Sequence, residues 1–403
     1  MREAVDPIKE FLPTKGWLGE YMRFTEGLEA CSRFNFFAAC CVLGAAINNT
    51  VWIQRGDEGL LPKLFPNIWV ILLAPPGRGH KTSVINMACN VLMGACPDVR
   101  MLADKLTPEY LVKGLSTPKT TQGMISIGPR DATGLIKAPE LSVFFGRQQY
   151  NTGLISLITD LYDFREVWEG GTIARGGEKL YNVCISVMGG STPVWLQNML
   201  PQDAFTGGFM SRFVLVEMPP TYFKKDTFPK RPPELKWENL VKGLAAVRKI
   251  NGEVIWGEGS IEEYEKVYEG TLPTGETQLD AYREREPEQI LKLAMLLAIS
   301  EQRIEILGKD IVQAKTIIYA LHKETNPRIE RLTTHPRMHL IQEIQDLLKL
   351  RGPISENELL EGVYRSLSQG ERQFYEALSV MKKTGVIIPK GTPGNYIYEL
   401  RRK

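Results

Sequence analysis

The stretch NIWVILLAPPGRGHKTS, residues 67–83, decides how the rest of the chain is read. Its apolar first half, ending at proline and glycine, predicts a buried strand. A glycine-bearing loop follows. Lys81 and Thr82 then open a segment in which Val84, Met87, Ala88, Val91, Leu92 and Ala95 recur at helical spacing. Strand, loop and helix in that order build an anion site, because loop N–H groups turn inward and the helix presents its positive end. Pro76, Gly77, Arg78, Gly79, His80, Lys81, Thr82 and Ser83 would wrap the phosphates of a nucleotide. Lys81 would reach the β- and γ-phosphates, and the Thr82 hydroxyl would hold the metal. ATP and Mg²⁺ are the expected cofactors.

The loop departs from the common pattern G-x-x-x-x-G-K-[ST]. Counting back from Lys81, Pro75 and His80 occupy the glycine positions, while the glycines stand at Gly77 and Gly79. The loop is thus one residue longer than usual. The plain alternative is an ordinary strand–turn–helix connection with a chance Lys-Thr pair.

Composition narrows the field. With 403 residues the chain has room for two or three domains. A net charge of +2 gives no global sign of nucleic-acid binding, so any basic footprint is local. Cys31, Cys40, Cys41, Cys89, Cys96 and Cys184 lie mostly in apolar segments with no C-x-x-C pair, which argues against zinc and for reduced thiols in a cytoplasmic protein. The apolar run 36–47 is too short to span a bilayer and predicts a core helix. The first residues do not read as a signal peptide.

The expected organisation is α/β. Residues 1–66 form a helical region packed on the core, 67–218 the α/β core, 219–235 a proline- and lysine-rich linker, 236–336 a helical lid and 337–403 a further domain. Within the core, LIKAPELS (135–142) is the candidate second catalytic strand. Glu140 would polarise the attacking water, with Pro139 where an aspartate usually stands; a plain helix-start charge is the alternative. Asp160 and Asp163 are alternative acidic ligands, or helix-surface residues. WEGGTIARGGEK (168–179) reads as a hairpin or mobile loop. At the end of strand 181–188, Ser191 or Thr192 would sense the γ-phosphate, or simply form a turn. Arg212 precedes the strand FVLVEM and would face a ligand or a partner, stabilising charge in a neighbour's transition state; an intrachain salt bridge is the alternative.

Lys81, Glu140, Ser191 and Arg212 follow one another at intervals of 59, 51 and 21 positions. This order resembles an AAA+ P-loop ATPase core, with Walker A, Walker B, sensor 1 and arginine finger in sequence. The strings ELSVFFGRQQYN, LITDLYD, GGSTPVWL and GGFMSRFVLVEMP are similar to a P-loop ATPase family of phage and mobile-element replication proteins. REPEQILKL (285–293) resembles the sensor 2 helix of minichromosome-maintenance helicases, which places Arg285 at the sensor arginine. That resemblance also implies that hairpin 168–179 enters a ring channel, where Arg175 and Lys179 touch single-stranded DNA.

Residues 337–400 read as a winged helix. Ser355 with Glu358, and Ser368 with Glu371, are capping boxes, and two strands around GTPGN form the wing. Gln369, Arg372, Gln373, Lys382, Lys383 and Lys390 are the candidate contacts to duplex DNA. Three functions compete: a ring-forming, hexameric ATP-driven DNA helicase or translocase; an initiator or helicase loader that switches with ATP without unwinding; and a non-enzymatic DNA-binding scaffold. The set Lys81, Glu140, Ser191, Arg212 and Arg285 argues against the third. No membrane partner is expected.

Overall fold

The computed structural model describes residues 6–57, 60–103, 105–116, 131–145, 152–172, 176–199, 204, 208–271, 277–333, 336–364, 367, 371–392 and 395–401. The chain divides into two compact units, Met1–Pro327 and Arg328–Lys403.

In the first unit a 3-10 helix (Pro7–Phe11) and two α-helices precede the sheet among the described residues, α1 (Gly16–Thr25) and α2 (Ser32–Ile47). Helix α2 is apolar nearly all round, so it belongs inside, and every residue from Arg33 to Ile47 is buried. The core sheet contains β1 (Trp69–Leu73), β2 (Met101–Ala103), β3 (Asp131–Ala138), β4 (Arg165–Thr172), β5 (Gly176–Ser191) and β6 (Val214–Glu217). Its order is β2-β3-β5-β1-β6, all parallel, with β4 antiparallel to the first half of β5. All five residues of β1 are buried, as an uninterrupted run of Val, Ile and Leu in a central parallel strand requires. Helix α3 (Lys81–Ala95) follows β1 and packs on α2. The chain leaves β1 for the β2 edge and later crosses from β5 to β6 on the other side. Its winding therefore reverses at β1, the place where open α/β sheets hold ligands beyond the strand C-termini.

Arg33 ties three parts of this unit together. Its guanidinium is fully buried and pairs with Asp6 at 2.8 Å and Glu324 at 2.6 Å, and its Nη1 donates to the Glu217 carbonyl at 3.0 Å. A buried cation needs such partners, since a charge left alone in the interior is strongly unfavourable.

The second unit has its own apolar core, centred on Ile344, Leu359, Phe374 and Tyr398. Helices Pro336–Arg351, Glu356–Val363 and Glu371–Lys383 accompany a three-stranded antiparallel sheet of Ile354–Ser355, Asn395–Leu400 and Ile387–Thr392, in that order. The Ser355–Glu358 capping box forms in both directions. The second expected box, at Ser368, lies outside the described residues. Helix Glu371–Lys383 ends in a left-handed Gly385, where the Gly385 and Val386 N–H groups reach the Lys382 and Met381 carbonyls. The six cysteines are free and buried. Among the described residues no helix is long and apolar enough to cross a membrane.

Candidate functional site

The loop after β1 makes its turn with left-handed residues: Gly77 at φ 68°, Gly79 at φ 78° and His80 at φ 51°. Two of the three are glycines because a Cβ is costly in that region. Gly79 has a second constraint, since a Cβ there would lie 2.9 Å from the Ala74 methyl and 3.0 Å from the Phe34 ring. His80 is the extra residue. It stands at the N-cap of α3 without capping through its side chain, and its Nε2 pairs instead with Glu29 at 2.6 Å. The lengthened loop is thereby tied outward to the segment before α2. Arg78 likewise points away from the helix end, donating to the Tyr222 carbonyl at 3.2 Å.

Among the described residues, the N–H groups of Gly79, His80, Lys81 and Thr82 find no backbone or side-chain acceptor. They are the orphan donors of a helix start, gathered where an anion would satisfy them. Lys81 donates to the Ala74 carbonyl at 3.1 Å, folding back over the loop. Burial pushes its pKa down, and the nearby Glu140 carboxylate opposes that shift. Thr82 and Ser83 are exposed on the first turn of α3, as is Pro76 in the loop. The donor set and the exposed Thr82 hydroxyl suit a polyphosphate with its bound cation.

The sheet register brings Glu140 and Ser191 to the same end. Leu73 lies opposite both Ser191 and Glu217, and Ala138 lies opposite Gly189. Ala74 N–H donates to the Ser191 carbonyl at 3.3 Å. Strand β3 stops at Ala138, so Glu140 lies beyond it and opens the short helix Leu141–Phe145 through its carbonyl, an exposed carboxylate at a helix start. The backbones at the two strand ends meet closely: a Cβ on Gly190 would fall 2.5 Å from the Pro139 oxygen. Between the two alternatives for the sensor position, Thr192 is engaged as a cap, accepting from Trp195 N–H at 3.2 Å. The hydroxyl of Ser191, buried at the strand end, makes among the described residues a single 3.3 Å contact, to the neighbouring Thr192 carbonyl.

Arg212 and Arg285 do not join this group. Arg212 precedes β6, whose first residue Val214 lies opposite Val70, so it sits at the N-terminal end of the sheet. Four residue rises along β1, about 13 Å, separate that end from Leu73. There Arg212, Arg285 and Lys292 surround the Tyr162 ring at 5.3, 5.5 and 4.3 Å. Arg212 and Arg285 share the exposed Asp163 carboxylate at 3.6 and 3.7 Å, while Lys292 and Arg285 hold Glu288, each at 3.2 Å. Lys292 also donates to Asn67 Oδ1 at 3.1 Å, just before β1. Three cations against two carboxylates leave this cluster one charge positive. Burial, and then the Arg285 guanidinium, push the Arg212 pKa down, and its buried Nε has no partner among the described residues. Asp163 is thus committed here, and Asp160 accepts from Trp168 Nε1 at 2.8 Å and pairs with Arg165. Neither acidic alternative approaches the loop. Tyr162, Asp163 and Lys292 carry this second cluster, and the sequence marked no role for Tyr162; its only signal was an aromatic beside an acid in LITDLYD.

Strands β4 and β5 form the expected hairpin, paired from Arg165–Val183 to Thr172–Gly176. Lys179 stands opposite Glu169 and pairs with it at 2.5 Å, which raises its pKa and compensates its charge. Arg175 lies outside the described residues. In the second unit Arg372 pairs with Glu376 at 3.1 Å and Lys390 with Glu399 at 2.7 Å. Lys382 lies over the Tyr396 and Tyr398 rings at 5.2 and 4.9 Å, and Lys383 is exposed on the same helix. Gln369 is outside the described residues. No family model matches the chain, and no curated protein does.

Proposed function

We propose that the chain is an ATPase of the AAA+ P-loop class whose active site is completed by a second copy. Lys81 and the free loop N–H groups take the triphosphate, Thr82 holds Mg²⁺, Glu140 orients the attacking water and Ser191 senses the γ-phosphate. Arg212 and Arg285 serve the neighbouring copy's γ-phosphate. The observation that carries this reading is the placement of the two half-sites at opposite ends of one parallel sheet. A chain cannot fold Arg212 onto its own Lys81 across the width of the sheet. A positive cluster whose arginines share one exposed carboxylate at 3.6 and 3.7 Å is suited to a further anion. Joining one end to the other is a head-to-tail contact, and such contacts form a ring when the rotation between copies closes.

The activity that fits best is a ring-forming, hexameric DNA helicase or translocase in replication of a phage or mobile element. The β4–β5 hairpin would carry the single strand, and the second unit, as a winged helix, would bind duplex through Arg372, Lys382, Lys383 and Lys390. The second reading is an initiator or helicase loader that switches with ATP without unwinding. The Lys179–Glu169 pair favours it, because a compensated lysine is a weak phosphate contact.

The test mixes two inactive variants. Arg212→Ala and Glu140→Gln should each bind ATP and fail to hydrolyse it, and their mixture should recover activity if the arginine works between copies. No recovery would return Arg212 to the role of an intrachain salt bridge. Mass measurement with an ATP analogue and single-stranded DNA separates the two functions: a nucleotide-dependent hexamer with DNA-stimulated turnover supports the motor, and a monomer throughout supports the switch.

A further inference from the structure

Residues 219–236, PPTYFKKDTFPKRPPELK, lead from β6 to helix Trp237–Val247. Their composition is that of a spacer, yet the backbone is tied down along the connection between α1 and α2. Tyr222 donates from its hydroxyl to the Ala30 carbonyl at 3.2 Å, and its own carbonyl accepts from Arg78 at 3.2 Å. Lys224 Nζ donates to the Glu26 carbonyl at 2.7 Å, and Asp226 N–H to the Glu29 carboxylate at 2.8 Å. The Asp226 carboxylate accepts from Phe228 N–H at 3.0 Å, which fixes a turn there. The Lys230 carbonyl lies so close to Gly27 that a Cβ on that glycine would fall 2.0 Å from it.

These anchors are polar and leave two aromatic side chains outside. Phe223 is 47% exposed and Phe228 78%. Lys224, Lys225, Lys230 and Arg231 are interleaved with the rings against Asp226 alone, so residues 223–231 carry a net charge of +3. Lys225 and Lys230 are exposed. The acids beneath the segment are already held, Glu26 by Lys9 at 2.8 Å and Glu29 by His80 at 2.6 Å. Exposed rings interleaved with cations on a fixed backbone suit a single nucleic-acid strand, whose bases stack on ring faces while its phosphates meet the lysines. A duplex keeps its base faces covered and offers the rings nothing. A neighbouring copy is a poor occupant, because on the reading above it would bring the positive Arg212–Arg285 cluster towards these cations.

We propose that residues 223–231 bind single-stranded nucleic acid, with Phe223 and Phe228 stacking on bases and Lys225 and Lys230 contacting phosphates. The site is separate from the β4–β5 hairpin and from the second unit, and it needs no ATP hydrolysis. The test is fluorescence anisotropy of a labelled oligo-dT strand titrated with the full chain in the absence of nucleotide. Phe223→Ala and Phe228→Ala should each weaken binding about tenfold, within the worth of one stacked base, and leave affinity for a labelled duplex unchanged. Lys225→Gln combined with Lys230→Gln should reduce the slope of log affinity against log salt by about 1.4, at roughly 0.7 per phosphate contact on a single strand. All four side chains are on the surface, and an unchanged melting temperature establishes that the variants fold. Absence of oligo-dT binding by the wild type, or equal binding by the phenylalanine variants, would overturn the proposal and leave the phosphate-loop reading to its own tests. Weaker binding of those variants to phosphatidylserine vesicles, or a changed assembly mass, with oligo-dT affinity intact, would give the rings to a membrane surface or to a second copy and overturn it equally.

Discussion

Replacing Gly79 with alanine separates the two demands that the loop after β1 places on its glycines. Gly77 and Gly79 share a left-handed conformation, at φ 68° and 78°. An L-residue there costs roughly 1–2 kcal/mol. At Gly77 nothing lies within 4 Å of an added Cβ, so Gly77→Ala should lose that amount and no more. At Gly79 the methyl would press on Ala74 at 2.9 Å and Phe34 at 3.0 Å, both on buried elements that have little room to yield. Overpacking of that kind adds about 1–3 kcal/mol. Gly79→Ala should therefore lose roughly 2–5 kcal/mol, and the difference between the variants isolates the packing term. Urea denaturation followed by tryptophan fluorescence reads it, because all seven tryptophans precede Arg328 and report on the first unit alone. Equal losses in the two variants would refute the claim that Phe34 and Ala74 close the loop from behind.

Three further outcomes are expected. Lys81→Ala should abolish ATP binding with little loss of stability, and retained tight binding in a filter or calorimetric assay would refute the phosphate-loop assignment. Burial raises the Glu288 pKa, but Lys292 and Arg285 more than offset this and hold it at about 2, below its ordinary 4.5. The folded pKa is depressed, so this stabilisation is complete above pH 4.5 and fades as pH falls towards 2; a shift of that size is worth on the order of a few kcal/mol. Stability curves of wild type and Glu288→Gln should stand apart above pH 4.5 and converge in acid, and parallel curves would contradict the assigned charge. Ser355→Ala should cost about 1 kcal/mol through loss of the cap, seen as faster hydrogen exchange in helix Glu356–Val363, and unchanged exchange would count against the cap.

Local pattern carried the elements that depend on their own residues. The apolar circumference of α2, the buried run of β1, the glycines of the loop and the Ser355–Glu358 box all follow from spacing and composition. Pattern was silent on what long-range packing brings together. Tyr162, Arg212 and Arg285 are distant in sequence, and only the order of strands reveals that they meet at the sheet end away from Lys81. Reading the candidate catalytic residues as one list concealed that division. Lys179 was legible as a basic hairpin residue, but its partner Glu169 depends on strand register, which the glycine pairs do not fix.

Strand β5 is a single 16-residue element serving two sheet neighbourhoods, and that continuity has a mechanical consequence. It is interrupted at Asn182, a left-handed residue at φ 48° where the register with β3 shifts. Asp131 clamps the point, accepting from Asn182 at 2.8 Å and Asn49 at 2.7 Å. From that pivot the strand runs roughly 30 Å to Ser191 and roughly 20 Å to Gly176. One continuous backbone therefore joins the strand end at Ser191 to the paired hairpin at Gly176, with no loop between them.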